Sequence, residues 1–297
     1  MKKGYLEFLC GLLFFGSSGV AAAHVPLPSY QVVFGRNVIG FLFLLLVFLL
    51  MRQKTTFCRH PKDAAFIAVS GLAMGVGSLF LYEAYDQIGM GLATLSYYCG
   101  PVIVMALSPL IFKEKFTVAK TAGFLLVLVG MLLVNGKISA AGGNTWGIFC
   151  GVMSALFFSL LIIFNKKATG IRGMENSLLQ LFFCSLAVTV FNIFKGGFAV
   201  ELTAGEWLWF LVLGLFNMGV GSCLYFSGMK KLPVQSVAIC GYLEPLVAVV
   251  LGVLLLGEVM LPLQVLGGAL IIGGAVLGEA RFRKRPVSGV ENGIEKR

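Results

Sequence analysis

Apolar runs of about twenty residues follow one another along nearly the whole chain, with little between them. That is the length an α-helix needs to cross bilayer hydrocarbon, where no water can pair a free amide or carbonyl. Stretches such as FLFLLLVFLLM (41–51) do not alternate as the strands of a membrane β-barrel would. The expected class is therefore an all-α, polytopic membrane protein. Only 12% of the residues are charged and 58% are hydrophobic, whereas a soluble surface needs about twice that charged share. Charges, Gly and Pro divide the runs into ten candidate transmembrane helices, at about 4–23, 29–51, 64–85, 90–112, 117–135, 145–165, 174–195, 206–229, 233–256 and 262–281. The connections are short and leave no room for a separate soluble domain.

The basic residues give these spans a direction. With the N-terminus inside, segments 1–3, 52–63, 113–120, 166–173, 230–232 and everything from 281 onward face the cytoplasm, and they hold 20 of the 23 Lys and Arg residues. Lys137 and Lys195 fall outside, and Arg36 lies within a span. This is the positive-inside pattern. It puts both termini in the cytoplasm (N-in/C-in) of a multi-pass protein of the cytoplasmic, or inner, membrane. The formal charge of +10 then faces anionic headgroups, so the lipid bilayer accounts for it and nucleic acid is not an expected partner. The first segment, MKKGYLEFLCGLLFFGSSGVAAA, has the basic start and small-residue end of a secretory signal. Glu7 interrupts it, and the similar WGIFCGVMSALFFSLLIIF recurs at 146–164, so both are read as the first helices of two halves.

The halves read as copies. MGVGS stands at 74–78 and again at 218–222. At the same 144-residue offset Tyr98 falls on Tyr242, Pro101 on Pro245, Glu114 on Glu258, Gly123 on Gly267 and Gly130 on Gly274, with no gap. The expected organisation is a five-helix repeat at 1–143, a second at 144–285 and a cytoplasmic tail at 286–297. Five is odd, so the second repeat enters the membrane inverted. Inverted repeats related by a two-fold axis in the membrane plane are the build of many secondary transporters, whose substrate sits near the midplane.

The C-terminal half carries GYLEPLVAVVLGVLLLGEVMLPLQVLGGALIIGGAVL (241–277): an E-P within span 9, a G-E at its end, and glycines seven apart along span 10. The first half carries GPVIVMALSPLIFKEKFTVAKTAGFLLVLVGMLLV (100–134), with the P, the K-E and the same glycine spacing. Over essentially the whole chain apart from the tail, this pattern resembles the EamA-type branch of the drug/metabolite transporter superfamily. The resemblance implies ten helices around a central cavity lined mainly by spans 1–4 and 6–9, with spans 5 and 10 outside it. The solutes it implies are a broad set: amino acids, amines, nucleosides, vitamins and drugs.

Several residues could carry the chemistry. Pro101 and Pro245, mid-helix in spans 4 and 9, free the carbonyls of Tyr97 and Gly241; they serve as shape-giving kinks or as backbone polarity facing a cavity. Tyr98 and Tyr242 lie near the same depth and could hold a cation or a ring, or simply pack. Glu244 sits mid-span, where a charge costs about 2.5–3.5 kcal/mol on insertion scales. Cation binding, proton coupling and a structural tie all remain open for it. Arg36 in span 2 and Glu83 in span 3 have similar depths on the outer side and are expected to pair or to contact a zwitterion together; alternatively Arg36 snorkels to headgroups. At the repeat offset Arg36 falls on Gln180, so the two mouths are expected to differ chemically. Tyr97, Tyr82 and Asn176 complete the expected substrate-binding set. Tyr85, Tyr225, Asn165, Asn217 and Gln235 are read mainly as packing residues. Glu114 and Glu258 are expected to cap the starts of spans 5 and 10. Gly75, Gly77, Gly219 and Gly221 are read as close-packing positions, and the stripes Gly123/Gly130 and Gly267/Gly274 as pairing helices either within the chain or in a homodimer.

Seven scattered cysteines without C-x-x-C spacing, only two histidines, and no phosphate loop ending in G-K-[ST] argue against a metal centre, a cofactor or an ATP motor. The expected function is not an enzyme's. It is secondary, alternating-access transport, with export as the expected direction. The solute is a small organic metabolite, most simply an amine-bearing one such as an amino acid, amine or organic cation, with proton coupling or exchange as the energy source and Glu244 as coupling residue. The alternatives are a channel-like permease for an uncharged or anionic metabolite, or a non-transporting membrane sensor or assembly subunit.

Overall fold

The computed structural model describes residues 2–134, 145–196, 201–256 and 262–279. The expected repeat junction at 143/144, Glu258 and the 286–297 tail lie outside the described residues. Those described are helical, with no strand among them. In chain order the helices are α1 (Lys2–Ala22), α2 (Ser29–Leu50), α3 (Pro61–Tyr97), α4 (Cys99–Phe112), α5 (Val118–Val134), α6 (Thr145–Lys167), α7 (Gly173–Lys195), α8 (Ala204–Val212), α9 (Gly221–Met229), α10 (Val234–Gly241), α11 (Leu243–Leu256) and α12 (Pro262–Glu279). A π-helical segment, Leu213–Val220, joins α8 to α9 without a break. Among the described residues seven segments are long and apolar enough to cross a membrane, and Cys99–Phe112, Val118–Leu133 and Val265–Gly278 are shorter apolar helices. Large apolar side chains stand exposed on the outside, Phe194 at 85% and Leu254 at 71% among them. A water-soluble chain would bury such a belt; bilayer hydrocarbon covers it at no cost. The chain is a multi-pass membrane protein.

The interruptions follow from backbone chemistry. Gly89, at φ 77°, reverses the chain inside α3, a conformation open to glycine at no steric cost. Tyr98 separates α3 from α4, and Tyr242 separates α10 from α11. Each lies three residues before a proline, Pro101 or Pro245, whose missing N–H and ring forbid the regular turn there. The two breaks meet: the Tyr242 hydroxyl donates to the Tyr98 carbonyl at 2.7 Å, and the rings lie 5.8 Å apart.

Packing follows the repeat offset. α3 packs on α6 and α7, while α9 packs on α1 and the π segment on α2; α4 packs on α6 as α11 does on α1. Glycines set the closest approaches. A Cβ on Gly75 would lie 2.8 Å from the Cys184 carbonyl of α7, one on Gly77 2.9 Å from Phe157 of α6, one on Gly219 2.5 Å from Phe43 of α2, and one on Gly221 3.0 Å from Phe14 of α1. The stripes on α5 and α12 face each other: a Cβ on Gly130 would lie 2.5 Å from the Gly267 carbonyl, and one on Gly274 2.5 Å from that of Gly123. The stripe is thus used within the chain, and its glycines are not free to join a second copy. α5 and α12 stand to one side, as a pair.

One end of the bundle gathers the polar connections. There Glu7 pairs with Lys231, Asp63 accepts from the Gly170 amide at 2.7 Å, and Glu175 accepts from the amides of Thr56 and Phe57 at 2.6 and 2.9 Å. Glu114 accepts from the Val234 and Gln235 amides at 2.7 and 3.0 Å. It therefore caps α10, not the neighbouring α5 that sequence proximity indicated. A carboxylate on a short connector reaches whichever helix N-terminus the bundle brings to it. Lys166, ending α6, donates to the carbonyls of Met229 and Leu232, while Lys230, just past α9, donates to those of Ala168 and Ile171. Each lysine closes the carbonyl end of the other's helix. We refer to this as the lysine end.

Candidate solute site

A cavity of about 200 Å³ lies among the helices. Its lining runs from Leu161 and Phe226, five and four residues from Lys166 and Lys230, to Tyr85 and Thr94 near the Gly89 turn. α1 contributes Phe15 and Ser18, and α2 contributes Arg36. The long α3 supplies Met74, Ser78, Leu81, Tyr82, Tyr85, Thr94 and Tyr97, followed by Tyr98 at the break. Ser154 and Phe158 of α6, Asn217 and Met218 of the π segment, Tyr225 and Phe226 of α9, and Glu244 of α11 close the wall. Neither α5 nor α12 lines it. The wall is thus largely aromatic, with two charged groups, Arg36 and Glu244.

Those two charges do not neutralise each other by contact. Glu7–Lys231 is the one ion pair among the described residues. Arg36 instead lies over the Tyr82 ring, its Cζ 5.8 Å from the centroid, and its buried Nε has no hydrogen-bond partner. Glu244 stands in the first turn of α11, just past the Tyr242 break and one residue before Pro245, so its carboxylate reaches the cavity at mid-bundle. A guanidinium and a carboxylate left apart on one cavity wall can each take an opposite charge from a ligand.

A protein-family model described as the EamA-like transporter family matches residues 2–136 and again residues 145–278. The chain belongs to the EamA-like transporter family. A transporter of Bacillus subtilis (strain 168) named YxxF and described as uncharacterized is 26% identical over 275 residues, which cover 92% of this chain and 88% of the relative. An uncharacterized inner membrane transporter of Escherichia coli (strain K12), YedA, is 26% identical over 254 residues, 82% of this chain and 80% of the other. The pseudopaline exporter CntI of Pseudomonas aeruginosa (strain UCBPP-PA14) is 24% identical over 256 residues, 85% of this chain and 87% of the other. A solved crystal structure superposes with a TM-score of 0.79 at 19% identity, over 94% of this chain and 97% of that one, which speaks for the fold. These relatives are named as transporters and not as enzymes.

Within this EamA-family bundle the sequence-expected residues divide. Glu244, Arg36, Tyr82, Tyr97 and Tyr98 share the cavity. Tyr242 is fully buried behind it, donating to Tyr98. Glu83 is not on the wall: it accepts from Trp146 Nε1 at 3.2 Å and Gln87 Nε2 at 3.1 Å. The expected Arg36–Glu83 pair is absent because adjacent residues of a helix point about 100° apart; with Tyr82 toward the cavity, Glu83 turns to α6. Gln180 and Asn176 are buried toward the lysine end, where Asn165 Nδ2 donates to Gln180 Oε1 at 2.9 Å and Asn176 Nδ2 to Asn165 Oδ1 at 3.4 Å. Tyr85, Tyr225 and Asn217, read from sequence as packing residues, are cavity residues. For Asn217 the signal is the π turn, which no local sequence pattern announces; such turns recur at functional sites. Its amide donates to the Phe14 carbonyl and to Ser17 Oγ of α1.

Proposed function

We propose that this EamA-family transporter carries a small amine-bearing metabolite, most simply a zwitterion, by secondary alternating access. The observation that carries the reading is the pair Arg36 and Glu244, unpaired with each other on the wall of one cavity. The ammonium goes to Glu244, with tyrosine faces around it to favour a cation; the carboxylate goes to Arg36, whose planar fork matches it. The phenylalanine, methionine and tyrosine wall takes an apolar side chain. A relative named as a pseudopaline exporter is in keeping with an exported organic metabolite.

The ten-span, N-in/C-in arrangement with two inverted five-helix repeats belongs to the same reading. Its support is the distribution of Lys and Arg, the match of the family model to each half, and the bond between two residues 144 apart at the helix breaks. On this reading the lysine end is cytoplasmic, and the Tyr85 and Thr94 end of the cavity lies toward the outer side. Glu244, without an ion-pair partner on this largely aromatic wall, is the group a proton can reach when the ammonium leaves. The Glu244→Gln variant tests this. With purified protein, amine binding is expected to weaken at least tenfold and to lose its pH dependence. Unchanged binding at every pH removes Glu244 from the site.

A further inference from the structure

Behind the cavity, toward the lysine end, a second set of polar side chains is buried without adequate partners. Gln180, Asn165, Asn176 and Ser222 are each 0% exposed. Asn176 Oδ1 and Ser222 Oγ have no hydrogen-bond partner at all. Gln180 spends its amide nitrogen on the sulfur of Met74 at 3.9 Å, and Met74 is itself a wall residue of the cavity. Burying a polar atom unpaired costs about 1–3 kcal/mol, more where no water can reach it. Packing alone gives a membrane bundle no reason to hold two such atoms beside the bonded chain of Gln180, Asn165 and Asn176.

The repeat offset says what they are. Subtracting 144 takes Gln180 to Arg36 and Ser222 to Ser78, and both of those line the open cavity. Gln180 and Ser222 thus occupy, in the second half, positions that line the cavity in the first; Asn176, whose mate is the buried Val32, joins them through its bond to Asn165. We propose that Gln180, Ser222 and Asn176 form the wall of a second solute site, closed in this structure, that opens toward the lysine end and holds the solute by neutral hydrogen bonds. Resting on the transport reading above, it deepens it: the solute's carboxylate meets Arg36 from one side and the Gln180 amide from the other. The lysine pair Lys166 and Lys230, each bonded to the other helix's terminal carbonyls, is what covers this wall. Its repeat mates are Ala22 and Asp86, so the opposite mouth carries no equivalent.

Side-specific labelling tests this without knowing the solute. In liposome-embedded protein whose native cysteines are replaced, single cysteines are placed at Ser222, Gln180 or Ser78 and exposed to a membrane-impermeant maleimide from either face. Cysteines at 222 and 180 are expected to label from the lysine-end face only, at least fivefold faster when Lys166 and Lys230 are both methionine; the one at 78 labels from the other face and slows in that double variant. No labelling at 222 and 180 from the lysine-end face in either background overturns the second site, as does labelling from the opposite face. Unmodified chain gives a second reading: addition of a transported amine is expected to speed hydrogen exchange over 174–182 and 220–224, and slower or unchanged exchange counts against the site. A wrong solute class leaves the labelling intact. A correct solute that binds through Arg36 and Glu244, with no labelling at 222 or 180, sinks only the second site.

Discussion

Arg36 shows how much one residue's phase decides. Its place as a lone cation within an apolar helix could be read from the sequence. Its neighbour could not. In a soluble helix, polar and apolar faces announce which way each residue points. Here lipid and core are both apolar, so Tyr82 and Glu83 carry no label for which of them faces inward, and the expected Arg36–Glu83 pair becomes Arg36 over Tyr82, with Glu244 on the wall of the same cavity. Glu244 was legible because a mid-span carboxylate beside a proline has few uses. Hydrogen bonds to a charged group contribute about 1.5–3 kcal/mol. Arg36→Gln is therefore expected to weaken binding of a zwitterion about 10- to 100-fold, while an amine lacking the carboxylate binds as before; titration calorimetry on purified protein separates the two. Equal losses for both ligands would make Arg36 structural.

The elements repeat this division between what local sequence holds and what only the assembly decides. Pro101 and Pro245 placed the breaks at Tyr98 and Tyr242, and glycine spacing announced close helix contacts. Which helices the glycines join was not legible, because a stripe of small residues fits a neighbour in the same chain as well as one in another. The contact is α5 on α12, with backbone against backbone. Gly274→Leu must push them apart, an overpacking cost of about 1–3 kcal/mol or more, read as a fall of several degrees in the detergent-solubilised Tm. An unchanged Tm would mean the pair separates freely. The lysine pair left no sequence signal, since Lys166 and Lys230 meet carbonyls 59–66 positions away. Burial pushes the Lys230 ammonium down to about 7, with Lys166 and Arg172 adding to the depression and Asp63 opposing it. When this end opens, the group returns toward its ordinary value near 10.4. Between those values the open form holds the proton and the closed form does not, so closure is favoured as pH rises from about 7 toward 10, and that advantage is lost as pH falls through 7. Maleimide access to a cysteine at 222, taken relative to a fully exposed cysteine at the same pH because the thiolate is the reacting form, should accordingly be greater at pH 6 than at pH 9. Burial also pushes the Lys166 ammonium down, to about 8, so methionine at both Lys230 and Lys166 should flatten the difference. Greater access at pH 9 would contradict it.

For the molecule as a whole, the duplication was the most informative feature, because it is written in residue identities and not in faces. The 144-residue offset relates two stretches that the family model also matches separately, relates Tyr98 to Tyr242, which bond, and relates Gln180 and Ser222 to cavity residues. It carries no solute identity, since symmetry fixes where a site lies and not what the site prefers. That preference rests on two charges held apart in about 200 Å³. The most direct measurement is binding of a matched trio to the purified protein: an amino acid with an apolar side chain, the amine left by removing its carboxylate, and the acid left by removing its ammonium. The account predicts that the amino acid binds at least tenfold more tightly than either relative, the amine next and the acid last. An acid or uncharged analogue that binds as well as the amino acid would contradict it.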